Sequence, residues 1–212
     1  MNSPDSEIPK QQFEGQSPHD SERHRILDAA VKAIAVHRHG DPGVHDILRE
    51  AGVSGRTLYA HFPSKDGLYV GLVRREFDAE IASMAGRLAQ ADEPLAQIEI
   101  WLDAYLDWHF HPEYSSHSVL TLGPVTRAAG YMEAVKDYRH QIAQVLAESI
   151  ARATDLGQAT SRQPVLDAVS IRAIIDSVCD ELETSAPTID RSAVKAHVKR
   201  FAWAAIGLAD ET

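Results

Sequence analysis

Several features that mark particular protein classes are scarce in this chain of 212 residues. It contains one cysteine, Cys179, so no disulfide can form within the chain, and a cytoplasmic location is expected. No apolar run approaches the ~20 residues that a membrane-spanning helix needs, and the first residues lack the charged-then-apolar pattern of a secretory signal. Alternating strand-like runs are nearly absent as well. A disulfide scaffold, a membrane protein and a mainly β fold are therefore not expected.

Basic side chains are in the minority, with 21 lysines and arginines against 31 aspartates and glutamates and a formal net charge of -10. The balance changes along the chain. Residues 22–75 contain nine basic and six acidic side chains, whereas residues 76–212 contain eleven and twenty-one. The overall charge argues against a nonspecific binder of polyanions. Specific nucleic-acid binding by the positive block stays open, because it depends on the local field and on phosphate contacts.

Helix-forming residues in apolar patterns of helical period fill most of the chain and predict an all-α fold. Residues 1–21 are polar, with Pro, Gly and Gln, and we expect them to form a disordered tail. Ser21 is expected to begin the first helix, which ends before Gly40. A second helix is predicted over about Val44–Ala51.

The segment AGVSGRTLYAHFPSK, residues 51–65, has the start and stop signals of a short helix. Gly52 suits the left-handed end of the preceding helix, Ser54 suits the N-cap of the next, and Pro63 ends it. A helix, a glycine-containing turn and a short helix form the helix-turn-helix arrangement. In this motif the first turn of the second helix enters the major groove of DNA.

Side chains that DNA recognition requires lie on the first turn and outer face of this short helix. Arg56 can pair in a bidentate manner with guanine, which is worth roughly 1–3 kcal/mol of discrimination. The neighbouring hydroxyl, imidazole and ammonium groups have the right length to reach phosphates. The predicted DNA-contacting residues are Ser54, Gly55, Arg56, Thr57, Tyr59, His61 and Lys65. The alternative is a helical hairpin that packs only against its own protein.

This segment resembles the DNA-binding region of the TetR-type bacterial transcriptional repressors, which reads approximately I-A-x-x-A-G-V-S-x-x-x-L-Y-x-H-F-x-x-K-x-x-L. The matching positions are Ile47, Ala51, Gly52, Val53, Ser54, Leu58, Tyr59, His61, Phe62, Lys65 and Leu68. The resemblance implies about nine helices, a DNA-binding domain at residues 22–70 and an effector-binding and dimerisation domain at residues 71–212. It also implies a homodimeric repressor that binds a two-fold symmetric operator, is released by a small molecule, and has no cofactor or catalytic activity.

Three positions depart from the family pattern. The segment GDPGVHDIL after the first helix is about two residues short, lacks an aromatic residue and has Gly43 at the cap position. Leu48 stands where the family usually has alanine, and Gly55 precedes Arg56 where a basic residue often precedes a small one. The shortened segment leaves an alternative open, a helical small-molecule sensor that acts through protein partners with weakened or lost DNA binding.

Aromatic and histidine residues gather between positions 101 and 138. A largely apolar cavity with a few polar groups is typical of a small-molecule site, although aromatic side chains at helical spacing are also typical of a plain core. The predicted ligand-binding residues are Trp101, Tyr105, Trp108, His109, Tyr131 and Ile175. We expect a small, largely hydrophobic or aromatic effector.

The run WHFHPEYSSH also suggests a metal-dependent enzyme that uses His109, His111, Glu113 and His117. Two histidines two positions apart near a helix end point to different faces, and Pro112 breaks the register. Neither a nucleophile signature nor a phosphate-binding glycine loop nor a helical zinc pair is evident. We therefore predict no metal site and no enzyme.

The two predicted last helices, at about residues 164–183 and 188–209, carry apolar faces. Together they are suited to form half of a four-helix bundle across a two-fold axis. By themselves these faces favour closure of an intramolecular core, whereas the family resemblance favours homodimerisation.

Overall fold

The computed structural model describes residues 18–36, 41–110, 123–185 and 190–208, and every regular element within these ranges is a helix. The predicted all-α class is confirmed. Nine helices lie in the described ranges. They are α1 Pro18–Val36, α2 Val44–Ala51, α3 Gly55–His61, α4 Lys65–Leu88, α5 Pro94–Phe110, α6 Gly123–Thr126, α7 Tyr131–Asp155, α8 Pro164–Ser185 and α9 Arg191–Ala205. None of these helices is long and apolar enough to cross a membrane.

The first compact unit extends to Pro63 and contains α1, α2 and α3. Its core is formed by side chains that are fully or almost fully buried, namely Ile26, Leu27, Ala30, Ile34, Ile47 and Leu58. α1 begins at Pro18, so residues 18–21 are helical and Ser21 is not its cap, contrary to the tail prediction. Proline suits the first turn of a helix, because its missing N–H has no partner there. The rest of the predicted tail lies outside the described residues.

The shortened segment before α2 is held by a hydrogen bond between Gly43 and Asp46. Gly43 is the N-cap, and its N–H donates a hydrogen bond to Asp46 Oδ2 over 3.2 Å. At the other end Gly52 adopts a φ of 63°, the left-handed conformation predicted for it, and Val53 N donates to Leu48 O over 3.3 Å. This tight end separates α2 from α3 by only three residues.

The second compact unit begins at Ser64, so the domain boundary predicted at residues 70 and 71 falls within α4. Here α7 packs against α4, α5 and α8, while α9 packs against α8 and α5. The apolar pattern from about Val125 to Thr154 predicts a single long helix, which the structure divides into α6 and α7. The break occurs because Gly130 adopts a φ of 94°, which a helix does not allow. The sequence also predicts a short helix at residues 115–121, which lie outside the described ranges.

Ion pairs along α5 help to position α9. Lys199 Nζ lies 2.8 Å from Asp103 Oδ2 and 3.1 Å from Glu99 Oε1. Lys195 Nζ lies 2.5 Å from Asp107 Oδ1, one turn further along α5. Desolvation acts to lower the pKa of the Lys199 ammonium group. Its two carboxylate partners outweigh this effect and raise that pKa. The pairs fix the relation between two helices that are about a hundred residues apart in sequence.

Candidate functional site

The start of α3 is fixed by its cap. Ser54 Oγ accepts a hydrogen bond from Thr57 N over 3.1 Å and lies 3.0 Å from Thr57 Oγ1. Leu58 is fully buried and Phe62 is 3% exposed, so the opposite face of the helix is anchored in apolar surroundings. A seven-residue helix is marginal by itself, and these contacts supply the stability that its length does not.

Two side chains of the predicted outer face of α3 are exposed. Arg56 is exposed, and Tyr59 keeps 51% of its surface accessible despite its large ring. Leu48 of α2 lies over Gly55, since a methyl group added at Gly55 would lie 3.8 Å from Leu48 Cδ1. A cationic side chain and a phenol therefore face outward from a helix whose first turn is held close to α2.

His61 differs from the other residues predicted to contact DNA. Its side chain is only 2% exposed, and Nε2 donates a hydrogen bond to Glu22 Oε2 over 3.0 Å. The opposite ring nitrogen, Nδ1, has no hydrogen-bond partner among the described residues. The sequence placed His61 toward phosphate because helical spacing put it on the outer face. Its burial against α1 is inconsistent with that role.

Lys65 belongs to the second unit, in the first turn of α4. Ser64 caps this helix, and its Oγ accepts a hydrogen bond from Gly67 N over 2.9 Å. The Lys65 ammonium lies 5.5 Å from the ring centroid of Tyr69 on the same helix, a cation–π distance. An ammonium group at a capped helix N-terminus is suited to an anionic partner.

The second unit contains a buried polar group, the Asp176 cluster, which consists of Asp176 with Tyr105, His109, Arg139 and Arg172. The Tyr105 hydroxyl donates a hydrogen bond to Asp176 Oδ1 over 2.7 Å, and His109 Nε2 faces the same oxygen at 3.4 Å. Arg139 Nε lies 3.3 Å from Asp176 Oδ2, and Arg172 Nη1 donates to that oxygen. One carboxylate thus joins α5, α7 and α8.

The electrostatic balance keeps Asp176 ionised. Burial acts to raise the pKa of this carboxyl, but the nearby His109 ring, the hydrogen bond from Tyr105 and the charge of Arg172 outweigh it and lower the pKa. Burial also raises the pKa of Tyr105 well above its ordinary value, so its hydroxyl keeps the proton that it donates. The cluster is a charged group stabilised inside a helical core, and its integrity depends on each partner.

A column of aromatic rings extends from this cluster into the core. Ring centroids of Trp101 and Tyr105 lie 4.7 Å apart, and those of Trp108 and Tyr138 lie 5.8 Å apart. Tyr138 stacks on Phe77 of α4 at 4.2 Å. The Tyr138 hydroxyl is buried without a hydrogen-bond partner among the described residues, and burial raises its pKa. The aromatic column therefore ends in one hydroxyl group, that of Tyr138, which can still form a hydrogen bond.

A cleft of about 410 Å³ opens beside the Asp176 cluster. It is lined by Arg139, Arg172, Ala173, Asp176, Ser177, Asp180 and Glu181. The cleft is therefore polar, whereas the neighbouring aromatic column is apolar and closely packed. A molecule that enters this cleft meets two guanidinium groups and several carboxylates.

Comparison with known proteins points to one family. The family model "Bacterial regulatory proteins, tetR family" matches residues 26–72, which contain α2, α3 and the start of α4. The HTH-type transcriptional activator FasR of Mycolicibacterium smegmatis is 25% identical over 88% of this chain and 83% of its own length. Together these findings support a TetR-family transcriptional regulator.

Solved structures show that this chain shares its fold with transcriptional regulators over nearly their whole length. A TetR transcription regulator from Haloarcula marismortui has a TM-score of 0.68 at 17% identity, covering 87% of this chain and 98% of its own. FadR from Bacillus subtilis, solved in complex with stearoyl-CoA, has a TM-score of 0.62 at 16% identity, covering 87% and 97%. At these identities the likeness concerns the fold alone.

The predicted ligand-binding residues of this chain fall into two groups. Trp101, Tyr105 and Ile175 are fully or almost fully buried and belong to the core. The indole N–H of Trp101 donates a hydrogen bond to Ile142 O over 3.1 Å. Trp108, His109 and Tyr131 are partly exposed, so these three side chains are accessible from outside the core.

Sequence reasoning missed the charged members of the Asp176 cluster. Arg172 and Asp176 are four residues apart, the spacing of a helical ion pair, and Asp176 interrupts an otherwise apolar run on α8. That interruption is the signal that could have found it. Of the histidine run considered as a metal site, His109 faces Asp176, while His111, Glu113 and His117 lie outside the described residues.

Proposed function

We propose that this TetR-family regulator is a repressor that binds a two-fold symmetric operator through α3 and is released by a small-molecule effector. The observation that carries the DNA-binding part is the geometry of α3. Its Ser54 cap and its buried Leu58 hold a short helix, while Arg56 and Tyr59 stay exposed. This is the arrangement that a recognition helix requires.

Each exposed group has a distinct role in this proposal. Arg56 reads a guanine in the major groove through a bidentate hydrogen bond. Tyr59, Thr57 and Lys65 bind phosphates, which fixes the register of the helix on the duplex. Gly55 is proposed to approach the DNA through its backbone, while its missing side chain leaves room for Leu48 of α2.

The effector is proposed to be a largely hydrophobic or aromatic molecule with a polar end. Its apolar part would lie against Trp108 and Tyr131, and its polar end would meet the Asp176 cluster. The support is that the partly exposed Trp108 ring stacks 6.1 Å from the Tyr105 ring, whose hydroxyl donates to Asp176. The complex of the structurally similar FadR with stearoyl-CoA is in keeping with a ligand that has a long apolar part. Such a ligand changes operator binding only if it prefers one of the two states.

The dimer is proposed to form through α8 and α9. Large apolar side chains are about half exposed on these helices, with Val165 at 49%, Leu166 at 55% and Phe201 at 50%. A second copy packed across a two-fold axis would remove these surfaces from water. Equilibrium sedimentation tests this: Phe201→Ser is expected to weaken dimerisation, and a parent chain that is monomeric at micromolar concentration would contradict the proposal.

The direct test is selection of DNA sequences from a random library, followed by affinity measurements on the selected duplex. Arg56→Ala is expected to lose discrimination by roughly five- to 150-fold, because one good bidentate pair is worth about 1–3 kcal/mol. The matched control is Arg162→Ala, an exposed arginine of the second unit, which is expected to bind as the parent does. If the parent selects no sequence, the DNA-binding proposal is wrong and a sensor that acts through protein partners becomes the better account.

The direction of regulation is tested separately, because the similar FasR of M. smegmatis is a transcriptional activator. A reporter gene under the selected operator is measured with and without the regulator. The repressor proposal predicts higher expression without it. Lower expression without the regulator would make this protein an activator like FasR.

A further inference from the structure

One face of α1 holds the carboxyl end of the recognition segment. His19, Glu22 and Arg23 lie three and four residues apart, which places them on the same side of α1. His61 Nε2 donates to Glu22 Oε2 over 3.0 Å, and the ring centroids of His19 and His61 lie 4.2 Å apart. The Arg23 guanidinium lies 5.2 Å from the Phe62 ring centroid. Three successive contacts thus join α1 to the end of α3.

The geometry of α3 explains why such contacts matter for DNA recognition. The helix has seven residues, so its first turn and its last turn are parts of one short rigid body. Leu58 and Phe62 anchor one face of the helix through apolar contacts, which are not directional. The hydrogen bond from His61 to Glu22 adds a directional contact at the end of the helix. Any change in tilt at this end also displaces Arg56 at the other.

Burial and charge exclude His61 from a direct contact with DNA in this arrangement. Its side chain is 2% exposed, whereas the neighbouring Tyr59 is 51% exposed. The carboxylate of Glu22 occupies the position beside Nε2 where a phosphate oxygen would have to lie. A second negative group at that position would be repelled by the first.

We propose that His61 is a positioning residue for sequence recognition. Bound to Glu22, it sets the orientation of α3 so that Arg56 meets its base, and it makes no phosphate contact itself. The inference rests on the proposed DNA-binding function and adds to it the pair His61–Glu22 as a determinant of specificity.

The experiment compares binding to the selected operator and to a nonspecific duplex over a series of salt concentrations. The variants are His61→Leu, His61→Gln, Glu22→Leu and the double variant Glu22→Leu/His61→Leu. The readout is the ratio of specific to nonspecific affinity. Loss of folded protein lowers both affinities by the same factor, so a merely structural role leaves this ratio unchanged. His140→Leu, which replaces an exposed histidine of the second unit, is the matched control.

The expected result is a ratio that falls roughly tenfold in His61→Leu and in Glu22→Leu, the change that corresponds to one lost hydrogen bond of ordinary strength. The double variant is expected to fall no further, because both changes remove the same contact. His61→Gln should recover most of the ratio, since its amide nitrogen can donate to Glu22 from nearly the same place. The salt dependence of His61→Leu should equal that of the parent.

Two results would overturn this proposal. A salt slope that drops by about one in His61→Leu would show that the imidazole contacts a phosphate after all. An unchanged specificity ratio in both single variants would show that the pair has only a structural role. Failure of the underlying function is distinguishable, because the parent itself would then prefer no sequence.

Discussion

Replacing Asp176 by asparagine keeps the shape of the side chain and removes the negative charge that lies against both Arg139 and Arg172. The Arg172 side chain is only 11% exposed, so its guanidinium would lose the carboxylate to which it donates inside the protein. Breaking a buried ion pair by removing one partner costs about 3–5 kcal/mol. We expect about 3 kcal/mol, the lower end, because the Arg139 side chain remains 45% exposed and can be solvated.

Urea unfolding followed by tryptophan fluorescence measures this change. All three tryptophans of the chain, Trp101, Trp108 and Trp203, belong to the second unit, so the signal reports on the unit that contains the Asp176 cluster. Asp78→Asn, an exposed aspartate on α4, is the matched control and is expected to unfold within about 0.5 kcal/mol of the parent. An Asp176→Asn protein as stable as that control would refute the reasoning.

The effect of Asp176→Asn on the free energy of unfolding is predicted to depend on pH. Because its partners lower the pKa of Asp176 in the folded state, ionisation of this group contributes stability above its unfolded value of about 4. That contribution is lost as the pH falls below about 4 and through the folded pKa. The stability difference between the parent and Asp176→Asn should therefore narrow in acid. A stability difference that stays constant from pH 7 to pH 3 would show that the charge of Asp176 is not the source of that difference.

Three further substitutions test other parts of the account. Ser54→Ala removes the cap that Thr57 N uses and should cost about 1 kcal/mol of stability in the first unit, measured by hydrogen exchange. Gly207→Ala should destabilise the protein by at least 1–2 kcal/mol, because Gly207 has a φ of 80° and an added methyl group would overlap Thr160 Oγ1. The matched control is Gly86→Ala on α4, where an added methyl group meets no atom within 4 Å. This control should be neutral or stabilising. Tyr105→Phe removes a hydrogen bond to a carboxylate and should cost about 1.5–3 kcal/mol in urea unfolding, while a cost below 0.5 kcal/mol would contradict the described cluster.

Local signals made the recognition segment predictable from the sequence. Gly52, Ser54 and Pro63 act on backbone groups only a few residues away, so the limits of α2 and α3 follow from the chemistry of neighbouring positions. The all-α class was also predictable from local signals, because the apolar patterns of helical period involve residues only three or four positions apart. The break at Gly130 was not predictable, since an isolated glycine within a helical pattern is tolerated and does not by itself mark a helix end.

Contacts between distant helices could not be predicted in this way. His61 is buried because Glu22, 39 residues earlier, happens to lie opposite it, which depends on the packing of α1 against the rest of its unit. The Asp176 cluster joins residues that are up to 71 positions apart, and helical periodicity gives no information on such pairings. A polar residue within an apolar run indicates that a partner exists, but only the fold shows which one it is.

The central claim is that Arg56 reads a base from the first turn of α3. It is tested most directly by measuring the affinities of the parent and of Arg56→Ala for the selected operator and for operators in which one guanine of each half-site is replaced. The account predicts that one such replacement costs the parent about 1–3 kcal/mol and costs Arg56→Ala nothing further, because the lost contact is the same. If every guanine replacement costs both proteins equally, Arg56 does not read the operator and the account is contradicted.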